Sequence, residues 1–263
     1  MFKKIPDTKT LEALLRAWHS KRAMTNFFLP EEEYLPAAKK WMVMRFEHGC
    51  YLIFEKKEHY DFYFFLEKGT LPVAVPEMDK PLVLEQGCLE RKGQEPKASA
   101  WEAVGFVPYL ERKRLMMPMQ EGISATREAK FAAESQADEI LEIMTNSFEP
   151  YTSALPEKKE LLASIRAKEL LVAMEDETLL GFLRFGQEKK VSVLWQVAVK
   201  EEARGKGIGK MLVKHWIWQV KDSALRCQLW VRTDNPSAQR MYEMLGFLPD
   251  GRIAPVMIKE KKG

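Results

Sequence analysis

The spacing of apolar residues changes from helical to extended and back along this chain. In Thr8–Ser20, Leu11, Leu14, Leu15 and Trp18 fall on one stripe, which predicts a helix. Pro30 and the acids Glu31–Glu33 interrupt the pattern. From Trp41 the repeat shortens to two. Trp41–Phe46, Tyr51–Phe54 and Tyr60–Leu66 are rich in aromatic and aliphatic residues and are separated by charged turns, which predicts an antiparallel meander. Pro72, Pro76 and Pro81 make Gly69–Pro81 a loop, Leu82–Leu84 a short strand follows, and Lys97–Val104 reads as a short helix ending at Gly105-Phe106. The polar stretch Gln120–Glu128 is the expected linker, so two domains are expected at 1–122 and 126–263.

The second half begins with a strand at Lys130–Ala133 and amphipathic helices at Gln136–Ser147 and Glu157–Ala167. A hairpin is predicted from Leu170–Met174 and Leu179–Phe185. Val191–Val199 is apolar on both faces, as a strand buried in a sheet should be. Ile208, Met211, Leu212, Trp216 and Val220 then recur at helical spacing. A strand at Arg226–Val231, a helix carrying Ala238, Tyr242 and Leu245 on one face, and terminal strands up to Ile258 complete the order β-α-α-β-β-β-α-β-α-β. The fold class expected is α/β, built on one mixed sheet.

Composition narrows the classes. The chain has 263 residues, is 46% hydrophobic and carries a net charge of only +3. Its basic residues are interspersed with acids, so no nucleic-acid partner is expected. Cys50, Cys88 and Cys227 are far apart, which argues against a disulfide framework or a zinc site and fits a reducing, cytoplasmic setting. No stretch approaches a membrane span and MFKKIPDTKT lacks an apolar leader core, so no membrane partner is expected. The histidines are scattered, no metal is expected, and His215 reads as a packed core side chain.

Between the buried strand and its helix lies Arg204-Gly205-Lys206-Gly207-Ile208-Gly209-Lys210. A helix N-terminus offers unpaired N–H groups and a positive dipole end, and glycines let a ligand approach the backbone. The turn therefore suits a phosphate. It is not a Walker A loop, because Met211 follows Gly209-Lys210. Nor is it a dinucleotide fingerprint, because Lys210 stands where the third glycine belongs. Downstream, Asn235 is a good N-cap with Pro236 at the first helical position, and Gly246 is a helix-ending glycine.

The spacing of Arg204, Gly207 and Gly209 is similar to the coenzyme A pyrophosphate loop of the GNAT family of N-acetyltransferases. The run Asn235-Pro-Ser-Ala, Tyr242 and Gly246-Phe247 resembles the second half of the same signature. The resemblance covers roughly residues 126–260 and implies the acyl-CoA N-acyltransferase fold there. It implies transfer of an acetyl group from acetyl-CoA to a primary amine, small molecule or peptide, by direct attack in a ternary complex. The cosubstrate would lie on Arg204, Gly205, Lys206, Gly207, Ile208, Gly209 and Lys210, with its arm along the backbone of Val197, Ala198 and Val199. Asn235 would touch it, and Tyr242 would be the general acid. In several family members a glutamate on the fourth strand assists deprotonation. Here the interior polar residues of that strand are Ser192 and Gln196, which leaves Glu149 as a weak substrate-side alternative to water. The alternative reading is a non-catalytic acyl-CoA-binding sensor or interaction protein. A monomer or a dimer is expected.

Trp101–Pro108 aligns without gaps to Tyr242–Pro249, and the pair Tyr51–Leu66 looks like Leu170–Phe185. The N-terminal half is therefore expected to be a shortened, degenerate copy of the C-terminal fold, making a tandem. It lacks the phosphate loop and its long helix.

Overall fold

The structure, a computed structural model, describes residues 1–89, 97–119 and 129–261. The linker expected at Gln120–Glu128 lies outside the described residues. The chain divides into two compact units, Met1–Arg112 with Gly251–Gly263, and Lys113–Asp250. In order the elements are β1 (Lys3–Lys4), α1 (Thr8–Ser20), β2 (Met24–Thr25), α2 (Glu31–Tyr34), β3 (Trp41–Phe46), β4 (Gly49–Glu55), β5 (Tyr60–Leu66), β6 (Leu82–Glu85), β7 (Cys88–Leu89), α3 (Ala98–Glu102) and β8 (Val107–Pro118). There follow β9 (Ala129–Phe131), α4 (Ala137–Ser147), α5 (Lys158–Arg166), β10 (Leu170–Glu175), β11 (Thr178–Glu188), β12 (Val191–Val199), α6 (Ile208–Val220), β13 (Arg226–Arg232), α7 (Pro236–Met244) and β14 (Leu248–Lys259).

In the first unit the strand order is β1-β3-β4-β5-β6-β14. The meander is antiparallel, β5 and β6 are parallel, and β14 returns antiparallel to β6. The acids Glu31–Glu33 form the first turn of α2, where negative charge suits the helix dipole, so they start an element instead of only interrupting one. The apolar stripe of α1 is buried as the spacing predicts. A second cluster packs Tyr51, Phe62, Phe64, Trp101 and Phe106 together.

In the second unit the order is β9-β10-β11-β12-β13, with the Lys113–Pro118 part of β8 beside β13. β12 and β13 are parallel and the other pairs among β9–β12 are antiparallel. Helix α6 buries Leu212, Val213, Trp216, Ile217 and Val220 in one cluster, and His215 is buried as expected. Helices α4 and α5 pack in another, with Phe182 and Ala198. Residues from Gly251 onward group with the first unit, whereas the sequence reading kept them with the second. Strand pairing is nonlocal, and the apolar alternation of a last strand says nothing about which sheet takes it.

The two helix endings share one geometry. Phe106 N–H donates to Trp101 C=O at 3.1 Å and Gly105 N–H to Glu102 C=O at 3.0 Å. Phe247 N–H donates to Tyr242 C=O at 3.1 Å and Gly246 N–H to Glu243 C=O at 3.0 Å. Gly105 and Gly246 have φ of 93° and 90°, the left-handed residue that this helix stop requires. The hairpin correspondence needs a correction. By sheet order and by the parallel step, β4 and β5 match β11 and β12, not β10 and β11. Alternating hairpins resemble one another in sequence, so a shift by one strand leaves the pattern intact.

Candidate active site

The sheet of the second unit opens where the sequence placed the chemistry. β12 pairs with β13 only from Val191–Leu194 against Arg226–Leu229, yet β12 runs on to Val199 and β13 to Arg232. On its other side β12 stays paired with β11 to the end. Lys200 N–H donates to Leu180 C=O at 2.9 Å. Alternation in an antiparallel ladder then turns the backbone of Ala198 toward β11 and that of Val197 and Val199 away from it. Of the three positions expected on the cosubstrate, Val197 and Val199 therefore present backbone groups to the opening. Ala198 is occupied by the sheet, and its side chain packs with α4 and α5.

β12 also carries a bulge that the sequence reading missed. Arg184 pairs with Gln196 and Phe185 with Leu194, so Trp195 is the extra residue. The alternation read from Val191 to Val199 breaks there. Leu194 and Val197 pack in the α6 cluster, while Gln196 faces the segment between α4 and α5, donating to Ser153 C=O at 2.8 Å. Trp195 is 39% exposed. A Cβ on Gly186 would come within 2.2 Å of its ring, so the glycine is what lets the indole lie down. An isolated glycine in a strand marks such a close approach, and Gly186 was the available signal.

The glycine turn leaves the start of α6 uncapped. Gly205 and Gly207 both have φ of 79°, and Gly207 is the left-handed N-cap of α6. No side chain caps this helix and no acid stands in its first turn, so the amides of Ile208, Gly209 and Lys210 have neither an intrahelical nor a capping partner. Arg204 and Lys206 are exposed and Lys210 is half-buried. Arg204 Nε donates to Val199 C=O at 3.3 Å, tying the turn to the end of β12. A Cβ on Gly209 would meet Met241 Sδ at 3.6 Å and Val199 Cγ2 at 3.7 Å, so the first turn of α6 sits against both β12 and α7. These residues fit a diphosphate: uncapped N–H groups, local positive charge and no acid in the helix's first turn.

Tyr242 follows Met241 on α7, the helix that meets the first turn of α6. It is 4% exposed and packs edge-on against Phe247 at 5.8 Å, in the cluster that includes Val197 and Ile208. Burial alone pushes the phenol's pKa up, so it stays protonated at neutral pH. Asn235 is exposed, and its Oδ1 accepts from Ala238 N–H at 3.0 Å, so the capping role is filled. The structure thus brings Val199 and the Gly205–Lys210 turn together at the end of β12, and Tyr242 shares the α6 core cluster with Val197 and Ile208.

Glu149 is built differently from a base. Its carboxylate accepts from Tyr151 N–H at 2.9 Å, Thr152 N–H at 2.8 Å and Ser153 Oγ at 3.1 Å, and from the Thr152 hydroxyl. Burial raises its pKa, but these donors outweigh burial and hold it below the usual carboxylate range. It braces the loop after α4. A depressed carboxylate stabilises the fold above its unfolded pKa, and that contribution is lost as pH falls through the folded value. Glu149→Gln is expected to lower stability at pH 7 by about 1 kcal/mol, discounted for its partial exposure. The deficit should shrink below about pH 4. Thermal melts at pH 7 and pH 3.5 check this, and an equal deficit at both would contradict it.

Comparisons with known proteins bear on the fold. Residues 137–247 match the model of the acetyltransferase (GNAT) family. This part of the chain has the GNAT-family acetyltransferase fold. Over 82 residues the chain is 33% identical to mycothiol acetyltransferase of Rhodococcus jostii (strain RHA1), which covers 28% of this chain and only 27% of that protein. The GCN5-related N-acetyltransferase of Sphaerobacter thermophilus is 12% identical, with a TM-score of 0.60 over 96% of this chain and 86% of that one. A GNAT acetyltransferase of Colwellia psychrerythraea is 13% identical, with a TM-score of 0.59 over 100% of both. A tandem GNAT protein from the clavulanic acid biosynthesis pathway is 12% identical, with a TM-score of 0.54 over 85% and 83%. At these identities the likeness to solved structures concerns the fold. Among the described residues no cluster of three or more His, Cys, Asp or Glu could hold a metal, and no helix is long and apolar enough to cross a membrane.

Proposed function

We propose that this chain is an acetyl-CoA-dependent N-acetyltransferase, with the second unit supplying the catalytic machinery. The observation that carries this reading is the opening between β12 and β13, lined by the outward backbone of Val197 and Val199 and ending at the uncapped start of α6. The amides of Ile208, Gly209 and Lys210 grip the diphosphate, with Arg204, Gly205, Lys206 and Gly207 forming the turn around it. An N–H of Val197 or Val199 polarises the thioester carbonyl. The amine nitrogen attacks that carbon in a ternary complex. The C–N bond forms and the C–S bond breaks; Tyr242 gives its proton to the departing thiolate, and the proton released by the acylated nitrogen passes to water, from which the Tyr242 phenol is restored.

The acceptor must arrive as a free amine. At pH 7 only about one alkyl amine in 10³ is neutral. Glu149 is committed to its loop, so the proton leaves to water in this reading. Thiol release from acetyl-CoA, measured against a panel of amines, is the test. The rate should depend on the amine and rise about tenfold per unit between pH 6 and 8, with the same slope in Glu149→Gln. Binding of acetyl-CoA with no amine-dependent release would favour a non-catalytic sensor.

We read the first unit as a shortened copy of the second. Its matching strand order and the paired helix stops at Gly105 and Gly246 support this. No helix separates β5 from β6, so the copy has no counterpart of the α6 cradle. Trp101, fully buried, stands where Tyr242 stands and has no hydroxyl.

A further inference from the structure

Among the described residues no carboxylate forms an ion pair with Arg184. It lies on β11 directly across from Gln196, on the face that packs against α4 and α5. Its Nε donates to Ser164 Oγ at 3.0 Å and its Nη1 to Gln196 Oε1 at 3.3 Å. Both acceptors are neutral. Its guanidinium stacks on Trp195 at 4.5 Å. No described carboxylate reaches ion-pair distance. Glu160 and Glu169 attract it only from beyond ion-pair distance. A guanidinium has five N–H donors and cannot shed its charge, so three donors remain on a partly desolvated cation.

Partly buried charges are ordinarily paired, because an unpaired one is costly to keep. This one is held in place by three residues. Trp195, the bulge residue, supplies the aromatic face, and Gly186 makes room for it. Gln196 holds Nη1 with its oxygen and, with Nε2, donates to Ser153 C=O. The next residue along β12 is Val197, whose backbone faces the opening assigned to the acetyl group. Cross-strand neighbours lie about 5 Å apart and strand residues about 3.3 Å, so the Cα of Arg184 lies roughly 6 Å from that of Val197, a distance that an arginine side chain and a small substrate can span together.

We infer that Arg184 binds a carboxylate of the acceptor, so that the substrate class is an amine bearing a carboxylate, an amino acid or a peptide. This rests on the acetyltransferase reading. Bidentate pairing of a planar guanidinium with a carboxylate supplies orientation as well as charge. Trp195 and Gln196 act through Arg184 as positioning residues.

The test uses matched pairs of acceptors, each amino acid or peptide beside its carboxamide, with thiol release as the readout. The carboxylate member should be preferred by at least about tenfold in kcat/KM. Arg184→Gln should bring that ratio near one, and Arg184→Lys should keep part of it. A ratio that survives in Arg184→Gln would overturn the assignment, because a merely structural arginine would not set it. A parallel titration needs no turnover. In wild-type protein loaded with coenzyme A, the Arg184 Nε–H resonance should move on adding N-acetyl amino acids and stay still with their carboxamides. If no carboxylate in the panel moves it, the inference fails whatever the enzyme does. If it moves while no amine is acetylated, the carboxylate site stands and the transferase reading fails.

Discussion

Gly207→Glu is expected to abolish measurable binding of acetyl-CoA, and Gly207→Ala to weaken it by about tenfold. The difference between the two variants is what carries the argument. Gly207 is the N-cap of α6 at φ 79°, and an added Cβ would meet nothing within 4 Å. Alanine therefore suffers only the strain of the left-handed region, about 1–2 kcal/mol. Glutamate suffers the same strain and also brings a carboxylate to the mouth of a site that has no other acid in its first turn. Like charge there opposes the diphosphate directly, and a loss beyond about 100-fold in affinity is expected. Calorimetric titration of both variants checks this. A Gly207→Glu protein that is folded and binds within tenfold of wild type would remove the cradle from the account.

Tyr242→Phe should lower kcat by about 10²-fold and leave the KM for acetyl-CoA within about twofold. No hydrogen bond to the Tyr242 hydroxyl contributes to its raised pKa, which comes from burial alone. Removing the oxygen thus keeps the packing against Phe247 and the α6 cluster, and stability should change by less than about 1 kcal/mol. A fall in kcat without a fall in stability then reports chemistry, not packing. If kcat stays within twofold of wild type across pH 6–9, another group protonates the thiolate.

Much of this site was legible in the residues because its parts are local. A glycine turn, a helix start and a helix stop are written within a few positions of one another, and Gly207, Asn235 and Gly246 each behave as their residue types dictate. What was not legible is what depends on register. The bulge at Trp195 shifts which side chains share a face, and strict alternation hides it. Arg184 reads as one more surface arginine until the pairing sets it across from Gln196. Glu149 has the residue type of a base, but the loop donors that fill its lone pairs appear only in three dimensions. The grouping of Gly251–Gly263 with the first unit rests on the pairing of β14 with β6, which no local pattern encodes.

The central claim is that backbone amides, those of Ile208, Gly209 and Lys210 together with those of Val197 and Val199, receive the cosubstrate. Residue-resolved amide hydrogen exchange, with and without acetyl-CoA, tests it most directly. On binding, these amides should become protected by at least about tenfold, while the paired amide of Ala198 changes little. Binding that leaves all of them exchanging as in the free protein would contradict the account.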